Sequence, residues 1–224
     1  MASGRLLKSL IKPVIQRHPN LVFFDTNLFY QPIGWYLRGC IFGRSWMGGA
    51  KSAFVNRFVM PLFEPRVRGM LGWGGRLRTR AGSQIWDVEA GDFLAEFEWA
   101  FETEIAAHVE AISTGEDFKL YIGKKLDFTC WSERGLAMGC LHMGQLAEAK
   151  NPLQAVIKTY EGLKIPKEAS SIINARMIIH GIDTDPLGLE AKLIATAVQT
   201  AENFRIAKFW TQPEKFWDKP PQIP

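Results

Sequence analysis

The spacing of apolar and polar residues changes near Ala90, and this change predicts two kinds of structure in one chain. Before Ala90, short stretches rich in β-branched and aromatic residues are separated by brief turn segments. Such stretches are typical of β-strands, and their short connections favour antiparallel neighbours over parallel βαβ units. The predicted strands lie at 27–31, 35–45, 52–63, 66–79 and 84–88.

Beyond that point, apolar residues recur at helical spacing. The longest predicted helix, 92–112, carries an apolar aromatic or aliphatic residue at every fourth position from Phe93 to Val109. In the turn GIDTDPLG at 181–188, we expect Asp185 to cap the helix that follows, because proline suits a first helical position. Further helices are predicted at 116–126, 132–143, 146–161, 167–180 and 186–209.

The two patterns together predict an α+β protein, with an antiparallel β-sheet in the N-terminal half packed against a C-terminal helical half. We divide the chain into residues 1–90, with an N-terminal helix and the sheet, residues 91–210, with the helices, and an extended tail, 211–224. The tail holds four prolines in fourteen residues, which excludes a regular helix. Phe216 and Trp217 are expected to pin the tail to the body.

Residues 1–17 are basic and place apolar residues such as Leu7, Ile11 and Val14 on one helical stripe. A helix of this kind packs on the protein body, or serves as a targeting or membrane-surface segment. We favour packing, with no membrane partner. No apolar run approaches the ~20 residues that span a bilayer, and the 3 cysteines show no paired spacing, which is typical of a reducing compartment. The expected location is the cytoplasm.

Charge is unevenly distributed along the chain. Residues 1–90 hold 13 Lys and Arg against 4 Asp and Glu, whereas residues 91–118 hold 8 acids and no Lys or Arg. A basic half attracts nucleic acid or an acidic protein. It attracts its own acidic half equally well, and the sequence alone does not choose between these partners.

The glycine- and arginine-rich stretch GMLGWGGRLRTR, 69–80, lacks both a complete dinucleotide-binding fingerprint and a P-loop. Strand alternation explains it better, with apolar residues on one side and arginines on the other. We expect one sheet face, opposite Leu71 and Trp73, to carry four arginines, which are the candidate binding residues: Arg38, Arg57, Arg76 and Arg78. Either the acidic helix 92–112 covers this face, or it is exposed and binds phosphates, carboxylates or bases.

The remaining chemistry-bearing residues do not assemble a catalytic pattern. None of the 4 histidines has metal-ligand spacing, and no nucleophile elbow is present. Cys140 and His142 lie two residues apart on one predicted helix, so they do not share a helical face. We therefore predict no catalytic residues, no metal and no cofactor, and we expect that the protein is not an enzyme.

Residues 133–156, ERGLAMGCLHMGQLAEAKNPLQAV, resemble one degenerate tetratricopeptide repeat. Leu136, Ala137, Gly144 and Ala149 occupy its small and apolar positions, whereas Pro152 departs from the pattern. Only one copy is visible and a solenoid needs about three, so the resemblance implies a helical hairpin and not an array.

The stretches YLRGCIFGRS, FVNRFVMPLFEP and GWGGRL within 36–77, followed by a helical half, are similar to uncharacterised bacterial proteins of sheet-then-helices layout. Some of those resemble immunity proteins of toxin systems. The resemblance implies binding rather than catalysis and transfers no site residues. The predicted function is a protein-interaction module that is immunity- or antitoxin-like and binds a protein partner. The alternative is a nucleic-acid-binding protein that uses an arginine-rich sheet face, and a third is membrane association through residues 5–17.

Overall fold

The structure is a computed structural model that describes residues 4–45, 51–64, 72–125, 129–166 and 169–221, without side chains at 124–125 and 129–130. Strands dominate the first half and helices the second, so the predicted α+β class is confirmed. The strands are β1 Leu21–Phe24, β2 Asn27–Tyr30, β3 Tyr36–Arg44, β4 Ser52–Pro61, β5 Trp73–Arg76 and β6 Trp86–Asp87.

One sheet contains all these strands, in the order β1-β2-β3-β4-β5, with β6 paired to β4. β2 and β3 pair antiparallel with Leu28 opposite Cys40, and β4 and β6 pair antiparallel with Ala53 opposite Trp86. The antiparallel sheet predicted from the short connections is therefore confirmed, although β6 pairs with β4 and not with β5, so the last strand departs from a simple meander. β1, which pairs antiparallel with β2, was not predicted. Part of the predicted strand 66–79 lies outside the described residues.

The helices begin near the N-terminus and continue after the sheet. They are α1 Gly4–Leu10, α2 Lys12–Arg17, α3 Phe93–Ala100, a π-helix Phe101–Ala106, α4 Ala107–Val109, α5 Gly115–Lys125, α6 Thr129–His142, α7 Leu146–Gly162, α8 Ser170–Thr184 and α9 Pro186–Asn203. A 3₁₀ turn follows at Ala207–Phe209. Leu7, Ile11 and Val14 are at most 1% exposed, so the apolar stripe of the N-terminal segment packs inside the protein, as we favoured.

The helix predicted over 92–112 contains a π-helical segment. Four residues advance an α-helix by about 400°, so a pattern with an apolar residue at every fourth position drifts by about 40° per step. Hydrogen bonds of the i→i+5 type hold more residues in each turn and reduce that drift. All five apolar positions are buried as a result, namely Phe93, Phe97, Phe101, Ile105 and Val109.

The folded chain comprises two compact units. The first, the sheet unit, contains residues 1–60 and 74–112, and the second, the helical unit, contains 61–73 and 113–224. The helices α3 and α4 thus group with the sheet. The division of the chain at 90 and 210 into parts stays a prediction, because compactness in the folded state does not test which parts fold alone.

In the helical unit, α6 and α7 are joined by the short turn 143–145, where Gly144 adopts a left-handed φ of 73°. The predicted cap before α9 is confirmed, since the Asp185 side chain accepts a hydrogen bond from Gly188 N at 2.9 Å. The expected anchoring of the tail is confirmed as well, because Phe216 is only 1% exposed. Pro152 lies inside α7 and does not start it.

Candidate functional site

Arg38, the first of the four candidate arginines, lies in β3 and is 7% exposed. Its Nε donates a hydrogen bond to Glu110 O at 2.9 Å, and its Nη1 donates to Pro32 O at 3.1 Å. Burial lowers the pKa of Arg38, although nearby Tyr30 and Glu110 oppose that shift. The guanidinium thus joins the loop before β3 to the residue that follows α4. Both nitrogens donate to backbone carbonyls of the protein.

Arg57 lies in β4 and pairs with Glu104 of the π-helix. Its side chain is 15% exposed, so the acidic helix covers it. Arg38 and Phe42 lie on the same face of β3, because alternate residues of a strand share a face. Phe42 packs against Phe97 at a ring-centroid distance of 5.3 Å. We call the side that bears Arg38, Phe42 and Arg57 the helix-covered face.

Other acids of the same helix also face basic side chains of the sheet unit. Arg17 Nη2 lies 2.8 Å from Glu98 Oε1, and His18 Nε2 lies 2.8 Å from Glu102 Oε1. Most of these ion pairs are partly exposed, so each contributes about 1 kcal/mol or less. The sheet unit holds 11 Lys and Arg against 9 Asp and Glu. The uneven charge along the sequence is therefore largely balanced inside this unit.

Arg76, the third candidate, lies on the opposite side of the sheet. Its guanidinium carbon lies 4.8 Å from the ring centroid of Phe54. The Phe54 ring in turn occupies the space above Gly43, where an added Cβ would lie 2.1 Å from the ring. Gly43 alternates with Phe42 along β3, so Gly43, Phe54 and Arg76 form a separate outer face. The expectation that all four arginines share one face is wrong.

Arg78 follows β5 and is exposed. Its Nη1 donates a hydrogen bond to Gly82 O at 3.3 Å, across the turn that leads to β6. The structure therefore brings Arg38 and Arg57 together beneath the acidic helix and leaves Arg76 and Arg78 exposed. Leu71, expected opposite the arginines, lies outside the described residues. Whether any of the four arginines binds a partner stays a prediction.

Sequence reasoning missed a buried ion pair in the helical unit. Glu64, 2% exposed, pairs with Arg134 of α6, and Arg134 Nη1 also donates to Ser171 Oγ of α8 at 3.1 Å. A small cavity, with room for about one water molecule, lies beside them and is bounded by Asn174 and Ile178. A signal existed in the motif PLFEP, which places a lone acid in an apolar stretch. A carboxylate in such a stretch needs a buried partner.

Cys140 and His142 do not face each other as a nucleophile and its base. Burial raises the pKa of the Cys140 thiol, which favours the unreactive neutral form. His142 Nδ1 lies 3.3 Å from Asp218 Oδ2 of the tail, and its ring stacks on Phe63 at 5.6 Å. This side-chain cluster therefore holds the tail in place.

Within the described part of the chain, no group of three His, Cys, Asp or Glu side chains is arranged to hold a metal ion. No helix among the described residues is long and apolar enough to cross a membrane. Comparison of the chain with protein-family models, with curated proteins and with solved structures finds no match.

Proposed function

We propose that this protein is a non-enzymatic protein-interaction module that binds its partner through the helical unit. The observation that carries the proposal is the placement of exposed apolar side chains. Among the described residues, seven large apolar side chains are exposed, and five of them lie in the helical unit: Leu120, Leu163, Ile173, Leu187 and Val198. Exposed apolar residues that cluster within a polar rim are typical of protein interfaces.

Two of these residues lie where α7 passes into α8. Leu163 is 65% exposed and Ile173 is 52% exposed. Ile173 lies one turn before Arg176 on the same helical face, and Arg176 Nη2 lies 2.8 Å from Glu161 Oε1 at the end of α7. We call these four residues the α7–α8 patch. Exposed apolar residues near an exposed ion pair support recognition of a protein that offers matching apolar and charged groups.

The narrower form of the proposal is an immunity- or antitoxin-like role in the cytoplasm, with a toxin protein as the partner. Cys40 and Cys140 are both free and buried, which is compatible with a reducing compartment. The burial of the N-terminal apolar stripe supports a protein partner over a membrane surface, because that stripe already packs within the sheet unit.

A double substitution tests the proposal. Leu163→Asp with Ile173→Asp places two carboxylates in the α7–α8 patch, and we expect capture of the partner from native lysate to fall at least about tenfold. The matched control is Leu6→Asp, at a residue that is 38% exposed and lies in α1 of the sheet unit. Equal capture of the same proteins by the double variant and the control would contradict the proposal. Circular dichroism confirms that both variants fold.

Nucleic-acid binding through the sheet is a second candidate. Two of the four arginines predicted for this surface, Arg38 and Arg57, are covered by the acidic helix and are not accessible to nucleic acid. The observation that still favours the candidate is the outer face, where Arg76 stacks on the half-buried Phe54. Arginine and aromatic planes together stack on unpaired bases. Affinity for mixed-sequence RNA that falls steeply with salt, and falls about tenfold in Arg76→Ala, would favour this function.

A further inference from the structure

The C-terminal tail lies in a pocket of the helical unit. Phe216 is 1% exposed, and its ring meets Phe63 edge-on at a centroid distance of 5.0 Å and His142 at 5.6 Å. His142 is itself only 2% exposed. An aromatic side chain two positions before an acid thus fills an aromatic cavity.

The acid, Asp218, is recognised by three polar contacts. Its Oδ2 accepts a hydrogen bond from Gly115 N at 2.7 Å and lies 3.3 Å from His142 Nδ1. Its backbone N donates to His142 O at 2.8 Å. Gly115 begins the 11-residue helix α5, whose N-terminus favours a negative charge. Both the carboxylate and the backbone of this residue are therefore recognised.

The turn between α6 and α7 leaves space for the tail residues that follow Asp218. An added Cβ at Gly144 would lie 2.6 Å from Lys219 O and 3.1 Å from Pro221 Cα. Any side chain at this position would collide with the tail backbone. We call Phe63, Gly115, His142 and Gly144 the tail pocket. It accepts an extended segment with an aromatic residue, one intervening residue and a carboxylate.

The intervening residue of the tail, Trp217, fits less well. Its indole Nε1 is buried, and it has no hydrogen-bond partner within the part of the chain that the structure describes. A buried donor without an acceptor destabilises the bound form. The preceding segment, 211–215, has no helix or strand and is mostly exposed, so the tail can leave the pocket without unwinding α9.

We propose that the tail pocket is a binding site for a partner protein segment with an aromatic residue two positions before a carboxylate, and that the tail closes this site until the partner displaces it. A protein segment fits better than a small anion, because the pocket bonds a backbone N–H and encloses an aromatic ring in addition to the carboxylate. The inference rests on the proposed function, since both describe a protein-interaction module. It uses a different surface from the α7–α8 patch.

A labelled peptide of residues 211–221 tests this inference against the full-length protein. In Phe216→Ala the tail loses its aromatic anchor, and the open fraction of the pocket rises. We expect the variant to bind the peptide at least about tenfold more tightly than the unaltered protein, because a closed site lowers apparent affinity in proportion to its open fraction. The matched control, Phe209→Ala, alters a phenylalanine before the tail and should behave like the unaltered protein.

Altered peptides test the chemistry of recognition. Peptides with Phe216→Ala or Asp218→Asn should bind the Phe216→Ala protein at least about tenfold more weakly than the parent peptide. A Trp217→Phe peptide, which lacks the indole N–H, should bind more tightly. If the Phe216→Ala protein does not fold, as judged by circular dichroism, the Asp218→Asn protein replaces it. Loss of the tail carboxylate opens the pocket less completely, so this variant should bind the parent peptide more tightly than the unaltered protein, by a smaller factor.

Two outcomes would overturn the inference. One is equally weak peptide binding by the unaltered protein and a folded variant. The other is a dimer of the unaltered protein that dissociates in Phe216→Ala, since the pocket would then exchange tails between two copies. Neither outcome involves Leu163 or Ile173, so the inference and the proposed function fail separately. If peptide binding persists in the Leu163→Asp, Ile173→Asp variant, the two surfaces act independently.

Discussion

The two faces of the sheet carry the same residue types in different surroundings. On the helix-covered face, Phe42 is 1% exposed against Phe97, and Arg57 pairs with Glu104. On the outer face, Phe54 is half-buried and Arg76 is exposed, with its guanidinium over the Phe54 ring. An arginine on the first face pairs with an acid of the protein itself, whereas one on the second is accessible to a partner. Residue type alone therefore does not define a binding site.

The largest expected difference between the faces concerns the two phenylalanines. Phe42→Ala removes a fully buried ring and should lower the free energy of unfolding by about 3–5 kcal/mol. Phe54→Ala removes a half-buried ring and should lower it by about 1 kcal/mol. Urea denaturation of both variants measures these values. Equal losses would show that both faces are equally well packed and that burial does not distinguish them.

The covered arginine should give the next largest effect. Arg57→Ala breaks the ion pair with Glu104 and removes a side chain that is only 15% exposed on the helix-covered face, so we expect a loss of about 1–3 kcal/mol. A double-mutant cycle with Glu104→Ala isolates the coupling between the two side chains. A coupling energy near zero, measured at low salt, would mean that the acidic helix is held by its apolar face alone.

A smaller effect is expected for Gly43→Ala on the outer face. The new methyl group would collide with the Phe54 ring, which must move because the closest approach is 2.1 Å. Since Phe54 is only half-buried and can shift, and alanine suits a strand better than glycine, we expect a net loss of about 1 kcal/mol. Thermal unfolding measures the loss. A gain in stability would show that Phe54 relocates freely.

Arg76→Ala should have the smallest effect, within about 0.5 kcal/mol, because this side chain is exposed and makes no buried ion pair among the described residues. The same urea titration that serves Arg57→Ala provides the comparison. A loss of about 1 kcal/mol or more would mean that Arg76 stabilises the fold as Arg57 does, and the two faces would no longer differ in this respect.

Most strands and helices could be predicted because their signals are local. Apolar residues at a period of two predict β3 and β4. The Asp185–Pro186 pair predicts the start of α9, where the Asp185 side chain accepts a hydrogen bond from Gly188 N three residues later. The four-residue strand β1 was missed because it closely follows a helix and shows no alternation. The π-helix was missed although its signal, an apolar residue at every fourth position, was present in the sequence.

The candidate site was less predictable than the fold. Strand parity correctly placed Arg76 opposite the buried Leu77 next to it in sequence. Parity could not relate Arg76 to Arg38 or Arg57, because that relation depends on register between strands far apart in sequence. The pairing of Glu64 with Arg134 likewise joins residues 70 positions apart, and only the motif around Glu64 indicated that a partner was needed.

The sequence by itself determined the α+β class, the antiparallel sheet, the apolar stripe of the N-terminal segment and the anchoring of the tail. Each of these follows from the periodicity or composition of one continuous segment. Only the tertiary structure decided which arginines the acidic helix covers, which remain exposed, and that Asp218 meets His142 and the start of α5. Those outcomes depend on contacts between segments that are far apart in the sequence. The periodicity of one segment does not show which distant segment it will contact.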